Sequence, residues 1–415
     1  MARDVRTLSM LQSSDKVVIV GAGFAGWRLV EALRREGYVG EILMIGDETY
    51  APYDRPPLSK HVLAGKWGVE RATLATPERI EANDVGMLLG SPGVALDIES
   101  NIVELEDGAR IEGSHIVIAT GARALRLPYS ADVRILTLRN RDDELRMRLE
   151  LEGLEPGSVI AVVGGGFIGA EVATQLKSRG FVPIVLEVAE RPLIGVLGPE
   201  ASSWLERLAA DVDIELRSDQ HISDVEGDGD GFIVRFEDGT ELRAASVIVG
   251  AGALPNFEWL EGSGLTLDGG VVVDENLLAR GNIAAIGDVA RFSWPNVMGE
   301  EQVRIEHWEV ANGHAQALAH FWMTGEGPAE LMVPYFWSDQ YGKKIQMLGH
   351  ARPDDDVVRV SGSPEEGKWL ALYSRGGVVT GIVTLSQPRG LMLSQHLLKS
   401  PSTLEGALRD APWTG

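Results

Sequence analysis

The sequence contains no cysteine in its 415 residues. Disulfides, thiolate zinc sites, iron–sulfur clusters bound by the protein and cysteine nucleophiles are therefore excluded. Basic residues are also scarce, with 38 Lys and Arg against 61 Asp and Glu, so the formal net charge is −23. Because this charge repels phosphate backbones and anionic lipid headgroups, nucleic acids and membrane surfaces are not expected partners.

The sequence also lacks a long apolar run. Its longest apolar stretch, residues 159–170, contains four glycines and leads straight into Glu171. It is shorter than the roughly 18 residues that a membrane-spanning helix needs. The first residues mix charged and apolar side chains, so no secretory signal is recognisable. We therefore expect a cytoplasmic protein.

Histidine is scarce as well, with eight residues. His307 and His314 have no third ligand at metal-binding spacing, so we interpret both as structural and expect no metal site. No histidine lies near a GxSxG motif, and no Ser-His-Asp arrangement is recognisable. The apolar share of 44% and the charged share of 24% are those of a globular protein. The length allows two to four domains of roughly 100 to 200 residues.

One glycine-rich motif occurs twice, each time behind an apolar run rich in valine. The copies are GAGFAG at Gly21–Gly26 and GGGFIG at Gly164–Gly169. A helical pattern follows each copy, and a further strand follows each helix, at Glu41–Ile45 and at Pro183–Glu187. Two βαβ units, and hence two dinucleotide sites, are predicted.

The glycines of such a motif have separate mechanical roles. The first allows a tight turn, the second lets backbone amides approach a pyrophosphate, and the third lets the helix pack closely on the strand. The amino terminus of the helix then faces the anion with its amide dipoles. Two copies in strand–loop–helix context are much stronger evidence than one.

The rest of the chain predicts the domain organisation. Val247–Gly250 and Ile283–Asp288 are predicted strands that could return to the sheet of the first βαβ unit, which would make the second unit an insert. From Leu331 onward, strands alternate with turns, and an apolar helix follows around Leu391–Leu398. The predicted fold class is α/β, with two Rossmann-like domains and a C-terminal α+β domain. The predicted boundaries are 1–122 with 251–330, 123–250, and 331–415.

The acidic residues that end the two units differ. Glu187 stands 23 positions after Gly164 (187 − 164), where a carboxylate would accept the ribose hydroxyls of NADH and repel the 2′-phosphate of NADPH. Arg191 is the competing observation, because it could reach that phosphate, but we favour NADH. In the first unit the matching position is Gly46, and the acid is displaced to Asp47.

Two nucleotide units, one inserted in the other, resemble the flavoprotein disulfide reductase superfamily, in which FAD binds first and the nicotinamide nucleotide second. HIVIATGA at His115–Ala122 is similar to the crossing between the two domains. NIAAIGD at Asn282–Asp288 is similar to the second FAD motif, in which Asp288 would accept ribityl hydroxyls. The disulfide reductases, and the peroxidases and oxidases with a reactive thiol, all need cysteine, which this chain lacks.

Three further motifs indicate a narrower family. YDRPPLSK at Tyr53–Lys60, VRIEHW at Val303–Trp308 and WSDQY at Trp337–Tyr341 resemble the FAD-dependent ferredoxin reductases of Rieske dioxygenase and haem monooxygenase systems, the putidaredoxin reductase-like family. The resemblance implies an oxidoreductase that passes a hydride from NADH to FAD and then single electrons to a [2Fe-2S] ferredoxin. That ferredoxin would feed an oxygenase, for example in aromatic hydrocarbon catabolism, and the enzyme would be a monomer or homodimer.

Two alternatives remain open at this point. A rubredoxin- or quinone-directed reductase, or an NADH oxidase, would share the nucleotide motifs and differ in the electron acceptor. A non-catalytic flavin redox sensor would share them too, but its product would be a conformational change. The electron acceptor separates these possibilities.

The resemblance also implies the site residues. Lys60, paired with Glu171, would lie at the flavin edge, and Glu171 would hold the nicotinamide carboxamide. Both are the expected catalytic residues. The expected FAD contacts are Gly21, Gly23, Phe24, Ala25, Gly26, Asp47, Arg55, Lys60, Val94, Thr120, Gly121, Arg123, Gly287, Asp288 and Trp308. The expected NAD contacts are Gly164, Gly166, Phe167, Ile168, Gly169, Glu171, Glu187 and Arg191. Trp337 is also expected near the isoalloxazine.

Overall fold

The computed structural model describes residues 10–127, 134–229, 231–293, 302–327 and 332–414. The chain divides into two compact units, each built from three segments. The first unit consists of Met1–Asp54, Ala72–Ala122 and Pro255–Phe336, and the second of Arg55–Arg71, Arg123–Leu254 and Trp337–Gly415.

The helices and strands follow one another along the chain. The first are β1 (Lys16–Val20), α1 (Phe24–Arg35), β2 (Glu41–Ile45), α2 (Pro77–Ala82), β3 (Val85–Leu88), β4 (Gly93–Asp97), β5 (Ile102–Leu105), β6 (Arg110–Glu112) and β7 (His115–Ile118). Next come β8 (Ala122–Ala124), β9 (Leu136–Thr137), α3 (Arg141–Glu152), β10 (Val159–Val163), α4 (Phe167–Ser178), β11 (Val182–Leu186), α5 (Ile194–Asp211), β12 (Glu215–Arg217), β13 (Ile222–Asp228), β14 (Gly231–Phe236), β15 (Glu241–Ala244), β16 (Ser246–Val249) and β17 (Ala253–Pro255). The last are β18 (Val271–Val272), β19 (Leu278–Arg280), β20 (Ile283–Ala285), β21 (Ala290–Ser293), β22 (Gln302–Val303), α6 (Trp308–Thr324), β23 (Tyr335–Gln340), β24 (Lys343–Gly349), β25 (Asp356–Ser363), β26 (Lys368–Arg375), β27 (Val378–Leu385), α7 (Pro388–Ser394) and α8 (Leu404–Asp410).

The first unit is organised around a six-stranded sheet in the order β19-β20-β7-β1-β2-β3. Strand β1 lies between β2 and β7 and is parallel to both. Its residues 17–20 are at most 3% exposed, as expected for a parallel strand covered on both faces. The prediction that the segment beginning at Ile283 returns to this sheet is confirmed, because Ile283 pairs with Ile116 of β7. Two three-stranded sheets, β4-β5-β6 and β18-β21-β22, complete the unit.

The second unit has its own parallel sheet, in the order β12-β11-β10-β16-β9. The prediction that Val247–Gly250 returns to the first sheet is wrong. This segment forms β16, which pairs with β10 from Ile160–Ser246 to Val163–Val249. All four residues of β16 are at most 2% exposed, and Val247 and Val249 belong to a core cluster completed by β14. A short apolar run fits the interior of either parallel sheet, so the sequence pattern cannot choose between the two.

The C-terminal segment of the second unit contains a five-stranded sheet in the order β23-β24-β27-β26-β25. The predicted strands of this region are confirmed. The apolar helix predicted at Leu391–Leu398 begins earlier, because Pro388 starts α7 at a position that needs no backbone donor, and residues 395–398 form a 3₁₀ turn. The division into three domains stays a prediction. Within the described ranges, no helix has the length and apolarity needed to cross a membrane.

In the first unit, His314 fastens helix α6 to the turn after β20. Its Nδ1 accepts the backbone N–H of Gly287 at 3.2 Å, and its ring meets the ring of Phe292 edge-on at 4.4 Å. The side chain is 4% exposed. Burial lowers the pKa of His314 to about 4, and the charge of Asp288 opposes this shift only in part. His314 is therefore neutral near pH 7.

We expect His314 to make the stability of the FAD-free protein depend on pH. The ordinary pKa of 6.5 applies to the unfolded chain, so between pH 6.5 and 4 the unfolded state binds more protons and the free energy of unfolding falls as the pH falls. The loss between pH 7.5 and 5 is about 2 kcal/mol. Urea unfolding at the two pH values measures it. His314→Gln, which keeps an acceptor for Gly287 but does not titrate, should lose this share of the pH dependence. Equal pH dependence in both proteins would contradict the assignment.

Candidate functional site

The first glycine loop joins β1 to α1 in the first unit. Gly21 has φ +119°, and a Cβ there would lie 2.1 Å from the carbonyl oxygen of Ala119. A Cβ on Gly26 would lie 2.5 Å from the carbonyl oxygen of Gly21. Gly23 differs, because nothing lies within 4 Å of its Cβ position. It is the N-cap of α1, and no side chain caps that terminus. The loop therefore presents an open, uncapped helix terminus of the kind that binds anions.

The second glycine loop repeats this arrangement between β10 and α4. Gly164 has φ +102°, with its Cβ position 2.6 Å from the carbonyl oxygen of Gly250, and a Cβ on Gly169 would lie 1.9 Å from the carbonyl oxygen of Gly164. Gly166 is the uncapped N-cap of α4, and the nearest atom to its Cβ position is 3.9 Å away. Ile168, in the first turn, is 42% exposed. Both loops thus fit a pyrophosphate on the same geometric grounds.

Glu187 lies immediately after β11, beside the second loop. One carboxylate oxygen accepts the backbone N–H of Gly165 at 2.7 Å, and the other accepts that of Ala189 at 2.9 Å. Arg191 turns instead toward α5, with its Nη1 3.4 Å from the carbonyl oxygen of Pro199 and its Nε 4.0 Å from Glu206. The structure thus places the carboxylate at the glycine loop and directs the competing guanidinium to a helix.

The acid predicted at the first loop is exposed. Asp47 Oδ1 accepts a local bond, from the backbone N–H of Glu48 at 3.0 Å. The carboxylate of Glu48 accepts the hydroxyl of Tyr53 at 2.6 Å. Val94, on β4, is 43% exposed.

Two turns of the first unit carry other predicted FAD residues. Gly121 has φ +63°. Thr120 Oγ1 donates to the carbonyl oxygen of Asn256 at 2.6 Å, and Asn256 Nδ2 donates back to the carbonyl oxygen of Thr120 at 3.0 Å. Gly287 and Asp288 open a 3₁₀ turn, and Arg304 Nη1 donates to the backbone oxygen of Asp288 at 3.2 Å. Asn256 was not expected from the sequence, since a single asparagine far along the chain gives no motif.

Trp308 begins helix α6 and contacts the first glycine loop. Its indole N–H donates to Asp54 Oδ1 at 2.9 Å, and its ring centroid lies 4.4 Å from that of Phe24. The Arg28 guanidinium lies over both rings, 5.0 Å from the Phe24 centroid and 5.5 Å from the Trp308 centroid. Sequence analysis missed Arg28. Trp337 lies on β23.

Three residues expected to contact FAD fall in the second unit, namely Arg55, Lys60 and Arg123, and the others fall in the first. Arg55 Nη1 donates to the carbonyl oxygen of Arg139 at 2.8 Å. Arg123 and Arg139 both line a cavity of about 380 Å³ in this unit. The FAD and NAD roles of all these residues stay predictions.

Glu171 is the centre of a buried polar cluster in the second unit. It lies in the first turns of α4 and is 2% exposed. Lys60 Nζ lies 2.7 Å from Glu171 Oε1, so the pairing expected from the resemblance is present. Ser338 Oγ donates to the same oxygen at 2.6 Å, and Ser59 Oγ donates to Oε2 at 2.5 Å. The backbone N–H of Asp339 adds a longer bond to Oε1 at 3.3 Å.

Two neighbouring residues that reach the Glu171 carboxylate lie in one π-helical turn. Residues 58–62 form this turn, and the N–H groups of Val62 and Leu63 bond to carbonyl oxygens five residues back, at 3.0 and 3.2 Å. Ser59 and Lys60 both belong to this turn, and the side chains of both reach the carboxylate of Glu171. Single π turns inside proteins often occur at functional sites. Ser59 and Ser338 belong to two separate sequence motifs, YDRPPLSK and WSDQY, and the residues of these motifs alone did not show that both serines would bind Glu171.

Within the described part of the chain, no group of three or more His, Cys, Asp or Glu side chains could hold a metal ion. The candidate features are an open helix terminus in each unit and, in the second unit, buried hydroxyls with a buried ion pair at Glu171. Each unit has a sheet, parallel throughout in the second unit and parallel except for the β19–β20 edge in the first, with an open glycine loop before a helix. This arrangement is that of the dinucleotide-binding proteins, a class that includes many oxidoreductases.

Comparison with known proteins gives the family. Residues 15–315 match the model of the pyridine nucleotide-disulphide oxidoreductases, and residues 335–411 match the reductase C-terminal model. The chain therefore belongs to the pyridine nucleotide-disulphide oxidoreductase family, and it does so without cysteine.

Particular relatives resemble the chain over nearly its whole length. Putidaredoxin reductase of Pseudomonas putida is 33% identical over 398 residues, which cover 94% of this chain and 92% of the relative. The ferredoxin–NAD(+) reductase subunit of the benzene 1,2-dioxygenase system of Pseudomonas putida is 33% identical over 397 residues, or 94% of each chain. The reductase in the crystal structure of the covalent putidaredoxin reductase–putidaredoxin complex superposes with a TM-score of 0.88 at 32% identity, covering 94% of each chain.

Alanine at two glycines of the second loop should separate binding from folding. Gly166→Ala places a methyl in open space where a pyrophosphate would bind, so we expect NADH affinity to fall at least about tenfold, with a stability loss of about 1 kcal/mol or less. Gly169→Ala, the matched control, forces a methyl onto a backbone oxygen and should cost about 1–3 kcal/mol or more of stability. Calorimetric titration with NADH and thermal unfolding measure the two effects. Unchanged NADH affinity in Gly166→Ala would remove this loop from the site.

Glu187→Arg should move the nucleotide preference toward NADPH, because it replaces repulsion of the 2′-phosphate by attraction. We expect the ratio of kcat/KM for NADPH over NADH to rise by about tenfold or more. Glu187→Gln is the control, since its amide oxygen can still accept from Gly165 while the charge is lost, and its ratio should rise less. Steady-state kinetics with both nucleotides decide the matter, and an unchanged ratio in both variants would mean that Glu187 does not contact the ribose.

Proposed function

We propose that the protein is an NADH-dependent ferredoxin reductase, which transfers a hydride from NADH to FAD and then single electrons to a ferredoxin. The proposal is supported by relatives named as ferredoxin reductases over 94% of the chain. The observation that carries it is the pair of open glycine loops in a chain with no cysteine. Two dinucleotides can bind, and electrons cannot leave through a thiol of the protein.

The cofactors are FAD and NADH. The first loop, with Gly21, Gly23 and Gly26, would hold the FAD pyrophosphate on the amino terminus of α1, because that terminus is uncapped and its front is open. Asp288 would accept ribityl hydroxyls in the same unit. FAD supplies the chemistry of accepting a pair of electrons from NADH and releasing them one at a time.

The second unit would bind and orient NADH. The open amino terminus of α4 would hold its pyrophosphate, and Glu187 would accept the ribose hydroxyls. Glu171 would accept a hydrogen bond from the nicotinamide carboxamide. Lys60 balances the charge of Glu171 and would be the cation beside the flavin edge. Trp308 would exclude water on the side of the first loop.

The remaining features of the proposal concern partner and assembly. The acceptor would be a [2Fe-2S] ferredoxin that feeds an oxygenase. A crystal structure of the covalent complex of putidaredoxin reductase with putidaredoxin, similar to this chain in its reductase, supports a ferredoxin partner. The protein would act as a monomer or homodimer in the cytoplasm, with the three domains proposed from the sequence.

An acceptor assay tests the function. We expect the FAD-loaded protein to oxidise NADH with a [2Fe-2S] ferredoxin at least about tenfold faster, as kcat/KM, than with rubredoxin, a quinone or dioxygen, because a surface complementary to the ferredoxin would favour its encounter over that of the other acceptors. Ferricyanide, which needs no docking surface, is the control for flavin reduction. Fast ferricyanide reduction without ferredoxin turnover would assign another acceptor. Negligible turnover with every acceptor and a long-lived charge-transfer colour would favour a redox sensor.

A further inference from the structure

The motif WSDQY is attached to helix α4 at two points. Ser338 and the backbone N–H of Asp339 bond to Glu171, and the backbone N–H of Tyr341 donates to Thr174 Oγ1 at 2.8 Å. Glu171 and Thr174 are three residues apart, so they share one face of the helix. The C-terminal segment is thus hydrogen-bonded to the helix that follows the second glycine loop. One of its two contact points is Glu171, the carboxylate proposed to bind the nicotinamide carboxamide.

A tight hairpin turn fixes the backbone at the end of the WSDQY motif. Tyr341 has φ +53° and Gly342 has φ +72°, and these two residues form the whole connection between β23 and β24. Positive φ at both central residues is the type I′ pattern, which usually carries Asn or Asp at its first position. A tyrosine in the left-handed region is a strained choice. In this conformation the Tyr341 N–H meets Thr174.

Neighbouring groups fix the direction of the Ser338 hydroxyl as well as its position. It is 0% exposed, its hydroxyl donates to Glu171, and Gln340 Nε2, itself in a residue 1% exposed, donates to the Ser338 oxygen at 3.4 Å. A hydroxyl has a single hydrogen, so a donor on its oxygen side favours the direction of the O–H toward the carboxylate. Short bonds from hydroxyls to a carboxylate are of the stronger, charge-assisted kind.

The bonds are distributed unevenly over the carboxylate. Oε1 accepts from Lys60, Ser338 and the backbone of Asp339, while Oε2 accepts from Ser59. Each carboxylate oxygen has about two lone pairs. Among the described residues, the donors therefore saturate Oε1 and leave acceptor capacity on Oε2. The donors on Oε1 hold the carboxylate plane in one orientation, in which this spare capacity has a defined direction.

We propose that Ser338, assisted by Ser59, is a positioning residue for dinucleotide binding: it holds Glu171 in the orientation in which its Oε2 can accept the amide N–H of the nicotinamide carboxamide. The C-terminal segment thereby completes the dinucleotide site of the second unit. This inference rests on the proposed function, in which Glu171 binds the carboxamide.

A nucleotide analogue separates positioning from general structural support. In 3-acetylpyridine adenine dinucleotide a methyl group replaces the amide nitrogen, so the analogue cannot donate to Glu171. The measurement is the Kd of the oxidised, FAD-loaded protein for NAD⁺ and for this analogue by calorimetry. We expect Ser338→Ala to weaken NAD⁺ binding about tenfold, equivalent to one charge-assisted hydrogen bond, and analogue binding less than about twofold.

The chain offers a matched control in Ser394→Ala. Ser394 is also 0% exposed and its hydroxyl donates one bond, to the carbonyl oxygen of Gly390 at 2.8 Å in α7. This variant should leave both Kd values unchanged. In a Glu171→Gln background, Ser338→Ala should have no further effect on NAD⁺ binding, because residues that act through one group are not additive.

Equal weakening for the two nucleotides in Ser338→Ala, or no weakening for either, would overturn the inference while leaving the proposed function standing. If Ser338→Ala does not fold, Ser59→Ala decides by the same criterion, since Ser59 reaches the carboxylate from the π turn. A wild-type protein that binds neither nucleotide would overturn the proposed function and this inference together.

Discussion

A carboxylate that is 2% exposed on a helix must be surrounded by donors, and this requirement at Glu171 organises the second unit. Removing a carboxylate from water is costly unless a cation and further hydrogen bonds compensate. Here the compensation comes from segments more than a hundred residues away on either side, the π turn with Ser59 and Lys60 and the hairpin with Ser338. Both segments are therefore tied to α4, and the orientation of the Glu171 carboxylate depends on both.

The amino-terminal caps of the helices differ between α2 and α3 and the two helices that follow the glycine loops. Helices α2 and α3 have side-chain caps from Thr76 and Asn140, and the cap of α3 is a full capping box. The two helices that follow glycine loops have none, although a cap usually stabilises a helix by about 1 kcal/mol. An uncapped, open terminus leaves its N–H groups for a ligand. Phosphate oxygens could accept hydrogen bonds from these N–H groups at both loops. A bound dinucleotide would then offset the stability that the helices lose without a cap.

The sequence predicted local features well where a residue type has one physical use. The glycine loops, the strand at Glu41–Ile45, the C-terminal strands and the pairing of Lys60 with Glu171 all agree with the structure. The prediction for Val247–Gly250 failed because the sequence of a short apolar strand does not indicate which of two sheets it joins. The strand joins the second sheet because it pairs with β10 and packs against Phe232 and neighbouring apolar residues. These partners lie elsewhere in the chain, so the residues of the strand do not reveal them. The contact of Arg28 with Trp308, that of Asn256 with Thr120, and those of Ser59 and Ser338 with Glu171 were not expected for a related reason, since contacts between residues far apart in the chain leave no periodic pattern.

The sequence by itself determined the absence of a thiol, the two glycine-rich turns before helices, and the carboxylate that follows the strand after the second turn, at Glu187. These follow from residue type and short spacing, which local backbone sterics translate directly into structure. Only the tertiary structure decided which donors bind Glu171 and that Arg191 points toward α5. It also decided that the WSDQY segment is hydrogen-bonded to α4. These contacts join segments far apart in the chain, so they exist only after burial and charge compensation have selected one packing from many.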